Sequence, residues 1–308
     1  MNPRPQQPSP FESAEAINRR SWHQMAREGN LNVVRAISAW SDICGFSSLL
    51  ERCGWDLDAA KSAGIFTTLA SAYQTFGVPF IVGAPPMPSE RVLVLNDGIA
   101  RTIDLHEQYE PIPLLLIFYI RDLLMRHFML ENSLFEQGLG LRTVLAGGER
   151  CQYSPESVTG VSVLHRAAEP TEFGKSILGQ QFVYHPSEFQ MNTAFAMAYS
   201  IDNLGSKNGV VPNRVYIESG WIDALNQFSP GLLETRESAV DACFNGNVLL
   251  TIRFDSEMPV TLKGKSSRVF RVAGMTVHPA LDGNEVVFPM NEHDRPIGEA
   301  RLTPKPNE

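Results

Sequence analysis

Two carboxylates in this chain stand where a cation can be held. The stretch Ile37-Ser-Ala-Trp-Ser-Asp-Ile-Cys-Gly-Phe-Ser-Ser-Leu-Leu50 puts Asp42 at the end of an apolar, strand-like run, three residues before Gly45 and a helix that opens with serines. A carboxylate at such a point can ligate a hard cation such as Mg2+. The backbone N–H groups of a helix start, here Gly45, Phe46 and Ser47, can hold a polyphosphate. An aspartate in this position can equally serve as a helix cap, and the stretch alone leaves both readings open. The second carboxylate is Asp97. Arg91 to Ile103 reads as strand, tight turn and strand, with Asn96-Asp97-Gly98 supplying residues that tolerate positive φ. Taken alone, that is only a turn.

The surrounding elements must bring the two together. Phe11 to Glu28 reads as a helix and Leu31 to Ser41 as the first strand. Phe46 to Phe76 is mostly helical, with a break near Cys53-Gly54-Trp55 and a restart capped by Asp56. Ala60, Gly64, Phe66, Leu69, Ala70 and Tyr73 recur there at helical spacing and are expected to face a core. Gly77 to Glu90 is a Pro- and Gly-rich loop. Pro111 to Phe135 is a long helix with a proline at its start, and Leu139 to Ala146 is a strand that ends at Gly147-Gly148. The order strand, helix, hairpin, helix, strand predicts a ferredoxin-like α+β sheet with helices on one face. Both aspartates then lie at one sheet edge on adjacent strands, as two-metal chemistry requires.

Further along, residues 150–188 read as an irregular excursion that closes with a strand at Gln181–His185. A helix follows over Phe189–Asp202, then a strand at Arg214–Ile217 and a helix from Glu218 to Gln227. Strands are expected at Asn247–Phe254, Pro259–Lys265 and Ser267–Val272. No repeat or second core is evident, so the chain divides into an N-terminal tail and helix (1–30), one domain (31–275) and a C-terminal extension (276–308).

Composition narrows the function. The 308 residues carry a net charge of -8, which argues against a general nucleic-acid binder. An anionic nucleotide would need metal ions and local lysines or arginines to bind. The four cysteines, Cys44, Cys53, Cys151 and Cys243, lack pairing or metal spacing and read as reduced thiols of a cytoplasmic protein. The N-terminus has no apolar signal core. The most apolar run, Ile112 to Leu130, is broken by Arg121, Asp122, Arg126 and His127, so a membrane span is not expected.

Four stretches, in order, resemble the class III nucleotide cyclases. Ser41-Asp-Ile-Cys-Gly-Phe-Ser-Ser-Leu49 resembles their opening motif. Leu95-Asn-Asp-Gly-Ile-Ala100 resembles their second metal motif, with Asn96 where glycine is usual. Met191-Asn-Thr-Ala194 is similar to their Val-Asn-Thr-Ala motif, and Leu262-Lys-Gly-Lys265 to their closing hairpin. The resemblance covers about residues 31–275. It implies that Asp42 and Asp97, with the Ile43 carbonyl, hold two Mn2+ or Mg2+ ions. It further implies that the Gly45–Ser47 helix start takes the phosphates, Asn192 orients the ribose and stabilises the transition state, and Lys263 contacts the triphosphate. Family sites lie between head-to-tail chains, so a homodimer is implied, with Asn192 and Lys263 supplied by the second subunit.

Two departures qualify the resemblance. The family's arginine four residues after the transition-state Asn is replaced by Ala196, leaving Arg142, Lys207 and Arg101 as candidate cations. Its missing charge also leaves room for a non-catalytic nucleotide-binding module. At the family's base-reading positions stand Leu93 and His185, and leucine cannot hydrogen-bond a base edge. The layout looks more like the pyrimidine cyclases of the bacterial Pycsar anti-phage systems. The function this implies is conversion of UTP to cyclic UMP, the product acting on a separate effector. Cyclic CMP from CTP is the alternative.

Overall fold

The strand that carries Asp42 is buried on both faces from Ala36 to Ser41, which requires an internal position in a sheet covered on both sides. A computed structural model describes residues 28, 32–79, 81, 87, 89–106, 112–151, 187–278 and 286–289. Its strands are β1 (Val33–Cys44), β2 (Arg91–Leu95), β3 (Gly98–Leu105), β4 (Gly140–Cys151), β5 (Arg214–Glu218), β6 (Leu233–Thr235), β7 (Ala239–Phe244), β8 (Asn247–Leu262), β9 (Lys265–Val277) and β10 (Val286–Pro289). Its helices are α1 (Phe46–Arg52), α2 (Leu57–Ser62), α3 (Ile65–Phe76), α4 (Pro113–Phe135), α5 (Thr193–Asp202) and α6 (Ser219–Phe228).

The ten strands form one sheet in the order β2-β3-β1-β4-β5-β9-β8-β7-β6, with β10 also paired to β9. The first four strands show the expected ferredoxin-like order. Most neighbours are antiparallel; β4 and β5 run parallel. The protein is thus α+β, as its sequence predicts.

Strand alternation assigns each layer. Ile37, Ala39 and Ser41 face α3 and α4: Ile37, Ile99 and Ile103 share a core with Phe76, Leu116, Ile120 and Leu124. Trp40 faces the other way and packs edge-on to Phe195 and Tyr199 of α5. The helices therefore cover both faces, not one. The expectation of a single helical layer fails because the Trp40 face is also apolar and also needs cover.

Local chemistry explains the helix boundaries. Asp56 caps α2 by accepting the Ala59 N–H at 2.9 Å. Gly64, at φ 78, ends that turn and restarts the chain as α3. The restart shifts the helical phase. Phe66 and Ala70, expected in the core, are exposed, and the buried face is Ile65, Thr68, Leu69, Ala72 and Phe76. The long helix begins at Pro113, its first position. The strands expected at Asn247–Phe254 and Pro259–Lys265 are one strand, β8, turning into β9 through Lys263 and Gly264 at φ 48 and φ 86. All of the expected Phe11–Glu28 helix but Glu28, most of the Gly83–Pro88 loop, the Gln181–His185 strand and His185 itself lie outside the described residues.

Two compact units share the chain. Arg35–Glu149 with Thr193–Glu308 forms the larger, and Met1–Val34 with Arg150–Asn192 the smaller. Within the smaller, Arg150 and Asn192 form an antiparallel bridge, and the Cys151 N–H donates to the Met191 carbonyl at 3.2 Å.

In the larger unit β4 makes two close approaches that tolerate only glycine. A Cβ on Gly147 would lie 1.9 Å from the Gly220 carbonyl oxygen at the start of α6. One on Gly148 would lie 2.5 Å from Thr193 Oγ1 and 2.7 Å from the Ala194 nitrogen. Because backbone cannot yield as a side-chain tip can, Gly147→Ala should destabilise the protein by about 1–3 kcal/mol or more. An unchanged denaturation midpoint would show that this packing is wrong.

Candidate functional site

The site grows from the pairing of β1 with β3. Asp42 lies directly opposite Gly98, and the Ile43 N–H donates to the Asp97 carbonyl at 3.1 Å. Asp97 occupies the two-residue turn between β2 and β3, where Asn96 adopts φ 56. Tyr73 of α3 fixes that turn by donating its hydroxyl to the Asn96 carbonyl at 2.6 Å. Both sequence-predicted aspartates are therefore brought together at one edge.

Gly98 has a different role from the one turn chemistry suggests. Its φ is not positive; a Cβ there would lie 2.3 Å from a carbon of the Trp40 ring. The indole thus lies over the backbone opposite Asp42. Its N–H donates to Asp202 Oδ2 at 3.2 Å, and the other Asp202 oxygen accepts from Arg142 Nε. Arg142 Nη1 donates to the Val210 carbonyl at 3.2 Å, and Nη2 lies 3.6 Å from Asp42 Oδ2. Sequence reasoning did not single out Trp40 or Asp202. The available signal was the stripe of Phe195, Tyr199 and Asp202 at helical spacing on α5.

This crowding sets the electrostatics. The Asp42 carboxyl is pushed up to about 6, first by burial and then by the negative charges of Asp202 and Asp97, with Arg142 pulling it back. Burial also raises Asp97 above the usual carboxylate range, and pushes the neighbouring Cys44 thiol up to about 12. Tyr73 is raised by burial and by Asp97.

Among the described residues no group of three or more His, Cys, Asp or Glu is placed to hold a metal. Asp42 and Asp97 still suit Mg2+ or Mn2+ bound with a substrate. Mg2+ is usually held by one or two carboxylates and completed by water and phosphate oxygens, not by an all-protein cage. An under-compensated carboxylate such as Asp42 is what an arriving cation would relieve. Beside it, Gly45 at φ 89 turns the chain into α1, and the first N–H groups of any helix lack partners within it.

The cation candidates separate clearly. Arg101 is buried on the opposite face, paired with Glu90 at 2.5 Å and bound to the Phe76 and Val78 carbonyls. That is a structural role. Lys207 is exposed in the turn after α5. Arg142 alone of the three contacts Asp42. Ala196 is exposed on α5.

The remaining predicted residues fall elsewhere. Leu93 of β2 pairs with Ala100, which pairs with Trp40, so all three share one sheet face. Asn192, in the smaller unit, is buried and donates to the Glu188 carbonyl at 3.0 Å. Lys263 is exposed at the β8–β9 turn. Near that turn, Lys265 lines a recess of about 250 Å³ with Arg35, Gly148, Glu149, Thr193 and Asp223. Along β4, Glu149 at this recess lies seven positions beyond Arg142 beside Asp42, a span of about 23 Å.

No protein-family profile matches the chain, and no curated protein matches it. Among solved structures, it is similar to the guanylyl cyclase Cya2, with a TM-score of 0.42 and 11% identity, over 79% of this chain and 93% of the other. It is also similar to a bacterial light-regulated adenylyl cyclase, with a TM-score of 0.40 and 9% identity. That match covers 79% of this chain and spans about half, 52%, of the other.

The raised Asp42 carboxyl has a thermodynamic consequence. Its folded value lies above its unfolded value of 3.8, so the folded state prefers the neutral acid and stability falls as pH rises from 4 toward 6. In metal-free buffer at pH 7, Asp42→Asn should therefore stabilise the protein by about 3 kcal/mol, an advantage that fades below pH 4. Denaturant titration at both pH values checks this; equal stabilities at pH 7 would contradict it.

Proposed function

We propose that this protein is a nucleotide cyclase that converts a pyrimidine nucleoside triphosphate, UTP, to its 3′,5′-cyclic monophosphate and diphosphate. The observation that carries the reading is the convergence of Asp42 and Asp97 through the β1–β3 register, beside a glycine-opened helix start.

Asp42 and Asp97, with the Ile43 carbonyl, would hold two Mn2+ or Mg2+ ions. Such ions, when bound, acidify the ribose 3′-hydroxyl and neutralise phosphate charge. The N–H groups at the start of α1 donate to the phosphate oxygens. Asn192 orients the ribose, and Lys263 binds the triphosphate. The 3′-oxygen loses its proton to solvent and attacks the α-phosphorus in line. The bond to the β-phosphate oxygen breaks, and diphosphate leaves.

A homodimer is part of this proposal. Lys263 belongs to the hairpin whose Lys265 borders the far recess, at the other end of β4 from Asp42. A strand is too rigid to bring its own two ends together, which supports a site completed by a second, head-to-tail copy. The pyrimidine assignment is supported by Leu93, an apolar side chain at a base-reading position on the Trp40 face. The preference for UTP over CTP, and a role in anti-phage signalling through a separate effector, rest on the sequence resemblance. Exposed Ala196, where the family carries arginine, favours the competing reading of a nucleotide-binding module without turnover.

Incubation of the purified protein with Mn2+ and each of ATP, GTP, CTP and UTP, with products identified by mass, tests the reaction. Cyclic UMP alone is the expected product, and Asp42→Ala or Asp97→Ala should abolish it. A cyclic purine would overturn the base assignment, and no product from any substrate would favour the non-catalytic module. The dimer has its own test. Asp42→Ala and Lys263→Ala chains, each inactive alone, should recover about a quarter of wild-type activity when mixed, because half of the dimers then hold one intact site. No recovery on mixing would argue against a shared site.

A further inference from the structure

Arg142 stands between two carboxylates and treats them differently. It contacts Asp202 directly through Nε, but its Nη2 remains 3.6 Å from Asp42, too far for a hydrogen bond. A third contact, from Nη1 to the Val210 carbonyl, anchors the guanidinium from the side. Asp202 is itself held by the Trp40 indole at 3.2 Å, and Trp40 is lodged against Gly98. The guanidinium is thus drawn toward Asp202, and Asp42 keeps a partly exposed carboxylate, 26% accessible.

We propose that Arg142 is the resident counter-ion of Asp42, that it holds down the affinity of this site for a free divalent ion, and that Asp202 sets how strongly it does so. The proposal rests on the metal-binding reading of Asp42 and Asp97. A divalent ion arriving alone gains two carboxylates but meets a fixed positive charge beside one of them, and Coulomb repulsion at such separations is large in a partly buried site. An ion arriving with a triphosphate brings negative charge that offsets Arg142. The pair therefore favours a metal–nucleotide complex over the bare metal. Asp202 acts through Arg142: if its charge is removed, the guanidinium loses its stronger partner and turns to Asp42, closing the site further. Arg142 and Asp202 are positioning residues in this account, and the two have opposite effects.

That opposition is the test. Free Mn2+ is followed by electron paramagnetic resonance as it is titrated into the full-length protein without nucleotide. Circular dichroism reports whether each variant is folded. Arg142→Gln should bind Mn2+ more tightly than the wild type, on the order of tenfold. Asp202→Asn should bind it several-fold more weakly. Removing Arg142 alone leaves Asp202 buried with only the Trp40 N–H, which costs folding stability; the Arg142→Gln/Asp202→Asn double variant removes both charges and should also bind more tightly than wild type.

If Arg142 and Asp202 only brace the fold, all three variants weaken binding, and the inference is overturned. Unchanged affinity in all three, with binding still abolished by Asp42→Asn, overturns the inference and leaves the metal site standing. Binding that survives Asp42→Asn overturns the metal reading itself, and the inference with it.

Discussion

Everything at the candidate site depends on the register between β1 and β3. A strand has a period of two, so a slip of one residue would turn Asp42 toward the layer of Ile37, Ile103 and α4, a buried apolar environment. The register is held from several sides. Trp40 fits only because residue 98 has no side chain. Ser38 donates its hydroxyl to Thr102 at 2.9 Å across the same pair of strands. Ser41 and Thr143 tie β1 to β4 at 2.8 Å, and Thr143 meets His127 of α4 at 2.9 Å. These contacts are buried, where an unmade hydrogen bond costs most, and together they fix which residue of β1 stands opposite the turn.

Two arginines, on the strands either side of β1, show how surroundings decide a charge's role. Arg101 projects from the β3 face that packs on α3. It meets one carboxylate, Glu90, and two carbonyls at the end of that helix, so its charge is locally compensated. A buried pair of this kind is costly to break and gives little net stability, but it ties Glu90 to the end of α3. Arg142, also buried, stands between Asp202 and Asp42, pairs directly with Asp202 and leaves Asp42 only partly compensated. Structural charges are balanced where they are buried.

The chemistry-bearing residues are divided between the two ends of β4. The acids, Arg142 and the start of α1 lie at one end; Lys265, Arg35 and the start of α5 lie at the other. Gly147 and Gly148 allow two helix starts to approach the strand there. A sheet is stiff along its strands, so this division is a fixed property of the chain.

The sequence by itself determined the order of the first four strands, the Asp-bearing turn and the placement of the two aspartates at strand ends, because each rests on local signals: an alternating run, Asn-Asp-Gly, a proline at a helix start. It also narrowed the cations to three. Only the tertiary structure decided among those three, since Arg101, Arg142 and Lys207 look alike in sequence and differ only in what surrounds them. The same is true of Gly98, whose lack of a side chain serves an indole 58 positions away in the chain, and of Asp202, which joins the site through helix α5. The second helical layer, the exposed Phe66 and the single long β8 also came from packing, because the phase of a helix and the continuity of a strand are settled by what they pack against. Local preference is written residue by residue. The charge balance around Asp42 is a sum over groups that only the folded chain brings within a few ångströms.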